Sequence, residues 1–156
     1  MFRVQQSLFE PDAPLTRAQA AKILSETLNL TANQYRLQAT DVLDSHWAID
    51  SFKALEKAGI MTGTNGKLQP NAHVTRAQMA SMLTRAFDYA GPTSFASFTD
   101  IDRDFWAYHD VNTLAANGVT TQVNQAFRPN EETTRAQFSL FVARSLDDRF
   151  KVYSSK

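Results

Sequence analysis

The sequence predicts an all-α protein of tandem helix-loop-helix repeats, and three observations carry that expectation. The string Thr-Arg-Ala-Gln occurs at residues 16–19, 75–78 and 134–137, at a constant interval of 59 residues. The register extends around it, because Phe9, Leu68 and Phe127 share the interval, as do Pro11, Pro70 and Pro129. Each string opens an apolar run at helical spacing, and a fixed interval of this length marks a repeat array.

Taken in order, residues 1–15 read as loop, since Met1 to Leu8 has no clear period and Pro11 and Pro14 preclude helix before Thr16. The first helix is expected over about 17–28, with Ala20, Ile23, Leu24, Thr27 and Leu28 on one face. After a polar linker at 29–37, Thr40-Asp41 opens a segment whose Trp47, Ala48, Phe52 and Leu55 supply the stripe of a second helix. Gly59 stops it as a left-handed C-terminal residue, and Ile60 re-enters the core. Residues 61–73 hold the turn formers Gly63, Asn65-Gly66 and Pro70, leaving at most a very short strand around Leu68. The helix at Thr75 presents Met79, Met82, Leu83, Ala86 and Phe87, each 59 residues after its counterpart in the first. A linker at 90–97 leads to Thr99-Asp100, Trp106-Ala107, Val111, Leu114 and Gly118, which repeat the Trp helix. The last helix uses Phe138, Phe141, Val142, Ser145 and Leu146 and ends near Asp148. Repeats 2 and 3 are complete. Repeat 1 lacks the Asp and the Trp-Ala helix, because subtracting the interval from Ile60 reaches Met1.

Thr followed three residues later by Gln is a capping box, so Thr16, Thr75 and Thr134 with Gln19, Gln78 and Gln137 are accounted for by helix initiation. Leu15 and Val74 before the caps are placed to staple onto Ala20 and Met79, whereas Thr133 makes a weaker staple. The Arg of the string, Arg17, Arg76 or Arg135, is not explained by capping, because a cation at the first helical position is repelled by the helix dipole. Two readings stay open. Arg beside unpaired helix N–H groups makes an anion site, or it pairs with a neighbouring carboxylate or lays its stem over the core. On the first reading Arg76→Ala leaves folding nearly unchanged.

Lys plus Arg is 16 and Asp plus Glu is 16, so the chain lacks the positive field of a nucleic-acid binder, and no nucleic-acid partner is expected. There is no cysteine, which excludes disulfides and thiolate metal sites, and no run long enough to span a bilayer. Asp100, Asp102 and Asp104 alternate like the start of a calcium loop, but Phe105 stands where that loop needs Gly and Val111 where it needs Glu. Asp41 and Asp100 are expected instead to cap or turn into the Trp helices. His46, His73 and His109 have no ligand spacing, and no nucleophile triad or phosphate loop stands out, so neither metal, cofactor nor catalysis is expected. Trp47 and Trp106, large aromatics at the start of an amphipathic helix, fit core packing.

A unit reading Phe-x-Asp, Trp-Ala, Gly-Ile, Phe-x-Pro and Thr-Arg-Ala-Gln resembles the S-layer homology (SLH) domain. The matching residues are Phe98-Thr99-Asp100, Trp106-Ala107, Gly118-Val119, Phe127-Arg128-Pro129 and residues 134–137. Repeat 2 matches as Asp41, Trp47-Ala48, Gly59-Ile60, Leu68-Gln69-Pro70 and residues 75–78. Departures are Ala39 and Leu68 where the pattern has Phe, and Gln122 where repeat 2 has Gly63. The resemblance implies a second half of one SLH repeat at 1–31 and whole repeats at 39–90 and 98–149, in a pseudo-threefold helical assembly with grooves between repeats. It also implies a non-catalytic, extracellular anchor that binds a secondary cell-wall polysaccharide bearing pyruvate ketals. By resemblance, Arg17, Arg76 and Arg135 take the ketal carboxylate, Trp47 and Trp106 face the sugar, and Asp41, Asp100, Gln78, Gln137, Gly59 and Gly118 complete the ligand set. A protein-interaction or self-assembly module of a surface layer is the alternative. With half of repeat 1 missing, the Thr16 helix is expected to lack its partner, so that homo-oligomers form or the Arg17 groove is incomplete.

Overall fold

The computed structural model describes residues 10–120 and 125–152. Phe9, Gln122 and the loop expected over Met1 to Leu8 lie outside the described residues. Five α-helices are found among those described: α1 Arg17–Thr27, α2 Ile49–Lys57, α3 Arg76–Ala86, α4 Tyr108–Ala116 and α5 Arg135–Leu146, followed by a 3-10 turn at Asp148–Phe150. Pairing of extended backbone is limited to isolated bridges, so the all-α expectation holds for these residues.

The capping boxes form in all three copies. Thr16 Oγ1 accepts the Gln19 N–H at 3.1 Å, and Gln19 Oε1 accepts the Thr16 N–H at 2.9 Å. Thr75 with Gln78 and Thr134 with Gln137 repeat both bonds. Leu15, Val74, Ala20 and Met79 are all buried. Gly59 and Gly118 stand one residue past the C-caps of α2 and α4 with φ of 74° and 73°, a conformation that costs any other L-residue about 1–2 kcal/mol.

The Trp helices start later than expected. Their N-caps are Ala48 and Ala107, with no side-chain cap, so Asp41 and Asp100 do not initiate them. Trp47 and Trp106 precede the helices and point outward at 60% and 62% exposure, so neither belongs to an apolar stripe. The buried faces are also rotated from the expected ones. On α1 the buried residues are Ala18, Ala20, Ala21, Leu24 and Ser25, while Ile23 and Leu28 are half-buried and Thr27 is exposed. Small side chains take the face because the partner helix comes close: Ser25 on α1 donates its hydroxyl to Ser51 on α2 at 2.9 Å. On α3, Ala86 and Phe87 are only half-buried. At the end of α5, Leu146 is 58% exposed rather than core.

The chain divides into two units, and helices that pack together come from successive repeats. In the unit formed by residues 16–74, α1 packs on α2 around Leu24, Phe52, Leu55, Ile60 and Leu68. The Thr16 helix therefore has a Trp-helix partner, supplied by the next repeat, and Leu24 is fully buried. In the unit that joins the residues before Thr16 to those from Thr75 onward, α3 packs on both α4 and α5 around Met79, Leu83, Val111, Leu114, Phe127 and Phe138.

Thr133 occupies the staple position that holds Leu15 and Val74 in the other copies, and it is fully buried with no hydrogen-bond partner for its hydroxyl among the described residues. A buried unsatisfied hydroxyl costs about 1–3 kcal/mol. Thr133→Val keeps the shape and removes that cost, so thermal unfolding should shift upward by several degrees; an equal or lower midpoint would show that the hydroxyl is satisfied in solution.

Candidate functional site

The Arg residues of the repeated string sit at junctions built almost entirely from backbone. In the unit of residues 16–74, the Arg17 and Ala18 N–H groups donate to the Ala72 and Pro70 carbonyls at 2.8 and 3.0 Å. The Arg17 Nε–H donates to the Leu68 carbonyl at 2.6 Å. The N–H groups of Leu68 and Gln69 in turn donate to Asp41 Oδ1 and Oδ2, both at 2.8 Å. Asp41 thus grips two successive amides of the loop whose carbonyl Arg17 holds. Without such a grip Gln69 would not keep its φ of 53°, which is unfavourable for a side chain with a Cβ.

The other unit repeats the junction at α3. Arg76 and Ala77 N–H donate to the Glu131 and Pro129 carbonyls, Arg76 Nε–H donates to the Phe127 carbonyl at 2.7 Å, and Asp100 accepts from the Phe127 and Arg128 amides at 2.8 Å each. Arg128 has φ of 62°. At α5 the partner loop is the N-terminal segment: Arg135 and Ala136 N–H donate to the Ala13 and Pro11 carbonyls, and Glu10, with φ of 46°, stands 4.0 Å from the Arg135 guanidinium.

These contacts remove one element of the anion reading of the Arg, the unpaired helix N–H. The first two helix N–H groups go to loop carbonyls and the third to the capping Thr, so no unpaired helix N–H remains beside Arg17, Arg76 or Arg135 to receive an anion. Arg76 is 2% exposed, with its guanidinium carbon 4.7 Å from the centre of the Phe127 ring and 5.8 Å from that of Phe141. Its removal therefore cannot leave folding unchanged. Burial, and next the charge of Arg128, lower its pKa, while Glu131 and Asp100 oppose the shift. Arg17 is half-buried, because Leu68 and Ala39 replace the edge-to-face pair of Phe127 and Phe98 and cover it less. Burial lowers its pKa too, against the pull of Asp41. Its terminal nitrogens make no hydrogen bond or salt bridge among the described residues, and Asp41 acts on it as a charge.

Other expected ligand residues are largely occupied. Gln78 and Gln137 spend Oε1 on their capping boxes. Gly118 is buried and its carbonyl accepts the Val152 N–H at 2.8 Å, whereas the equivalent Gly59 is exposed. The tryptophans remain open. The Trp47 ring stacks on His46 at 5.5 Å, and His46 Nδ1 accepts the Ala48 N–H at 3.0 Å, which fixes the supporting ring. Trp106 lies 5.7 Å from Phe105.

Two outcomes follow from the junctions. Arg76→Ala deletes a charged donor and opens a void beside Phe127, so it should destabilise by about 2–4 kcal/mol in denaturant titration, and Arg17→Ala by about 1–2 kcal/mol. Equal small losses would mean that burial at Arg76 contributes nothing. At Asp41, burial pushes the pKa up, but the Leu68 and Gln69 amides and Lys67 outweigh it and hold the carboxyl below its ordinary value. A depressed folded pKa gives stability that is present above the unfolded value of about 3.9 and is lost as pH falls through the folded one. Asp41→Asn should therefore trail the parent by about 1–2 kcal/mol at pH 7, with the gap closing toward pH 3. A gap that is constant with pH would show that the carboxylate charge is irrelevant to the clamp.

The sequence model of the S-layer homology domain matches residues 40–80 and 97–139, together more than half of the chain. The chain is 28% identical over 154 residues to the S-layer protein sap of Bacillus anthracis, covering 97% of this chain and 19% of that protein. It is 30% identical over 155 residues to an uncharacterized cell wall amidase of the same organism (95% and 28%), and 28% identical over 152 residues to a cellulosome-anchoring protein of Acetivibrio thermocellus (90% and 34%). The chain spans about a fifth of the length of the S-layer relatives. The interval of 59 residues, the capped Arg helices and the matched stretches lead to one statement: this chain belongs to the S-layer homology domain family.

Proposed function

We propose that the chain is a non-catalytic cell-surface anchoring module, and that it holds an acidic, pyruvylated cell-wall polysaccharide in the extracellular space. The carrying observation is that Trp47 and Trp106, the two tryptophans of the chain, stand 60% and 62% exposed on supporting rings at equivalent places of two repeats. A large flat apolar surface kept in water at a repeated position suits the C–H face of a sugar ring. Half-buried Arg17, with its terminal nitrogens open, supplies a charged fork for a ketal carboxylate. The names of the relatives support this reading: they include S-layer, cell-wall and anchoring proteins. Arg76 contributes by holding the junction rather than by touching sugar.

Self-assembly is a second reading, favoured by one observation. Leu140, Leu146, Phe150 and Val152 are 41–58% exposed within one short stretch of α5 and the turn after it. A second copy covering that stretch would appear as a concentration-dependent mass in light scattering.

Binding to purified wall polysaccharide, before and after mild acid removal of the ketals, tests the first reading. Trp47→Ala and Trp106→Ala should each weaken binding by about tenfold or more at parental melting temperature, and Arg17→Lys should lose part of the affinity that ketal removal abolishes. Undiminished binding in both Trp variants, or equal binding to de-ketalised polymer, contradicts it.

A further inference from the structure

Trp47 and Trp106 stand on different supports. The Trp47 ring stacks on the imidazole of His46, with ring centres 5.5 Å apart and planes 27° apart, and the same imidazole meets the buried Phe52 ring edge-to-face at 6.1 Å. One interval later the supporting ring is Phe105, tilted at 40° to Trp106. The backbone beneath the two pairs is the same. The His46 N–H donates to the Leu43 carbonyl at 2.9 Å and the Ile49 N–H to the His46 carbonyl at 3.1 Å. Phe105 to Asp102 and Tyr108 to Phe105 repeat both bonds at 3.1 and 3.0 Å. Ala48 and Ala107, the N-caps of α2 and α4, have φ and ψ of −104° and 14°, and −100° and 12°. What differs is one bond: the Ala48 N–H donates to His46 Nδ1 at 3.0 Å, whereas a phenyl ring offers the Ala107 N–H no acceptor.

Nδ1 accepts a hydrogen bond only in the neutral imidazole whose proton is on Nε2; in the imidazolium both nitrogens are donors. Protonation of His46 therefore sets two N–H groups against each other across 3.0 Å, at a helix start that already presents partial positive charge. No carboxylate is in place to hold the charged ring there. Among the described residues His46 makes no ion pair; Asp44 and Asp50, two and four residues away, are exposed, and Lys53 and Arg36 line a separate depression with Asp44. An imidazolium is drawn to an indole face, but any orientation over Trp47 satisfies that attraction, so it does not keep the ring where the Ala48 bond sets it. The turn can release the ring without disturbing the helix, because α4 starts from the same backbone and lacks the bond.

We propose that His46 is a proton-sensitive support: neutral, it holds the Trp47 ring in place through Ala48, and protonated, it turns out of that place and frees Trp47 to move. Trp106, on Phe105, has no titratable support. The device deepens the anchoring function proposed above and rests on that reading only for what Trp47 holds. Attachment through Trp47 then weakens in acid.

Proton NMR of the full chain tests the device without any ligand, between about pH 8 and about pH 5, the interval in which an imidazole changes charge. Contacts between the His46 and Trp47 rings, present in nuclear Overhauser spectra at the alkaline end, should be lost at the acid end. The Trp47 indole resonance should move with the His46 ring along one single-proton curve, and the Ala107 amide should not follow it. His46→Asn, whose side-chain oxygen accepts the same N–H at either end, should remove the titration from the Trp47 resonance. His46→Phe, which copies repeat 3, should remove it too. Ring contacts that persist at the acid end, or a Trp47 resonance that titrates as before in both variants, overturn the proposal. Trp106→Phe leaves Trp47 as the one tryptophan, and this chain should bind purified wall polysaccharide about tenfold more weakly at the acid end, with His46→Asn restoring most of the loss. The two claims fail separately. A chain that releases the ring yet binds no wall polymer at either end keeps the switch and loses the anchoring function. One that binds equally at both ends, with the rings still in contact in acid, keeps the anchoring function and loses the switch.

Discussion

The structure depends on one recurring clamp, in which a peptide unit of a loop is held from both sides by charged side chains. An Arg Nε–H takes the carbonyl of Leu68 or Phe127, and an Asp carboxylate takes the N–H of the same residue and of the next. Hydrogen bonds with a charged member are the stronger class, at about 1.5–3 kcal/mol each, and three backbone groups of the loop are satisfied together. The clamp also fixes Gln69 and Arg128 at positive φ, which turns the loop so that its next carbonyls reach the first amides of a helix. Helix initiation, loop shape and charge placement are thus one arrangement, and that is why they recur together at a single interval.

Much of this was legible in the residues. The capping boxes and the left-handed Gly59 and Gly118 follow from local rules that act within four residues, and local rules can be read from a string. The destinations of Asp41 and Asp100 could not be read, because their partners lie 27 and 28 residues away and the local alternative, an N-cap, was equally satisfying chemically. The burial of Arg76 was hidden for the same reason. Its surroundings are Phe127 and Phe141, which the register places in the next repeat, and nothing in a Thr-Arg-Ala-Gln string distinguishes Arg76 from the half-buried Arg17. The one available signal was the exchange of Phe98 and Phe127 for Ala39 and Leu68, which reduces the aromatic cover over Arg17.

The tryptophans show the opposite case. Their spacing before Phe52 and Val111 fits an apolar helical face, yet both stand outside the helices and in water. A residue that pattern places in a core and the fold places on the surface is relieved of a packing role, and the function proposed above would account for its identity. The Arg of the repeated string builds the junction, and in the function proposed above the Trp is left to meet the ligand.

Amide hydrogen exchange at the clamp tests its central role most directly. The Phe127 and Arg128 amides lie in a loop without regular structure, and Arg128 itself is exposed. If the Asp100 carboxylate holds both as the structure has it, they should exchange only on opening of the whole unit, with protection close to that of the α3 interior. Exchange as fast as at the Asn65–Gly66 turn would mean that the clamp opens locally and does not organise the fold.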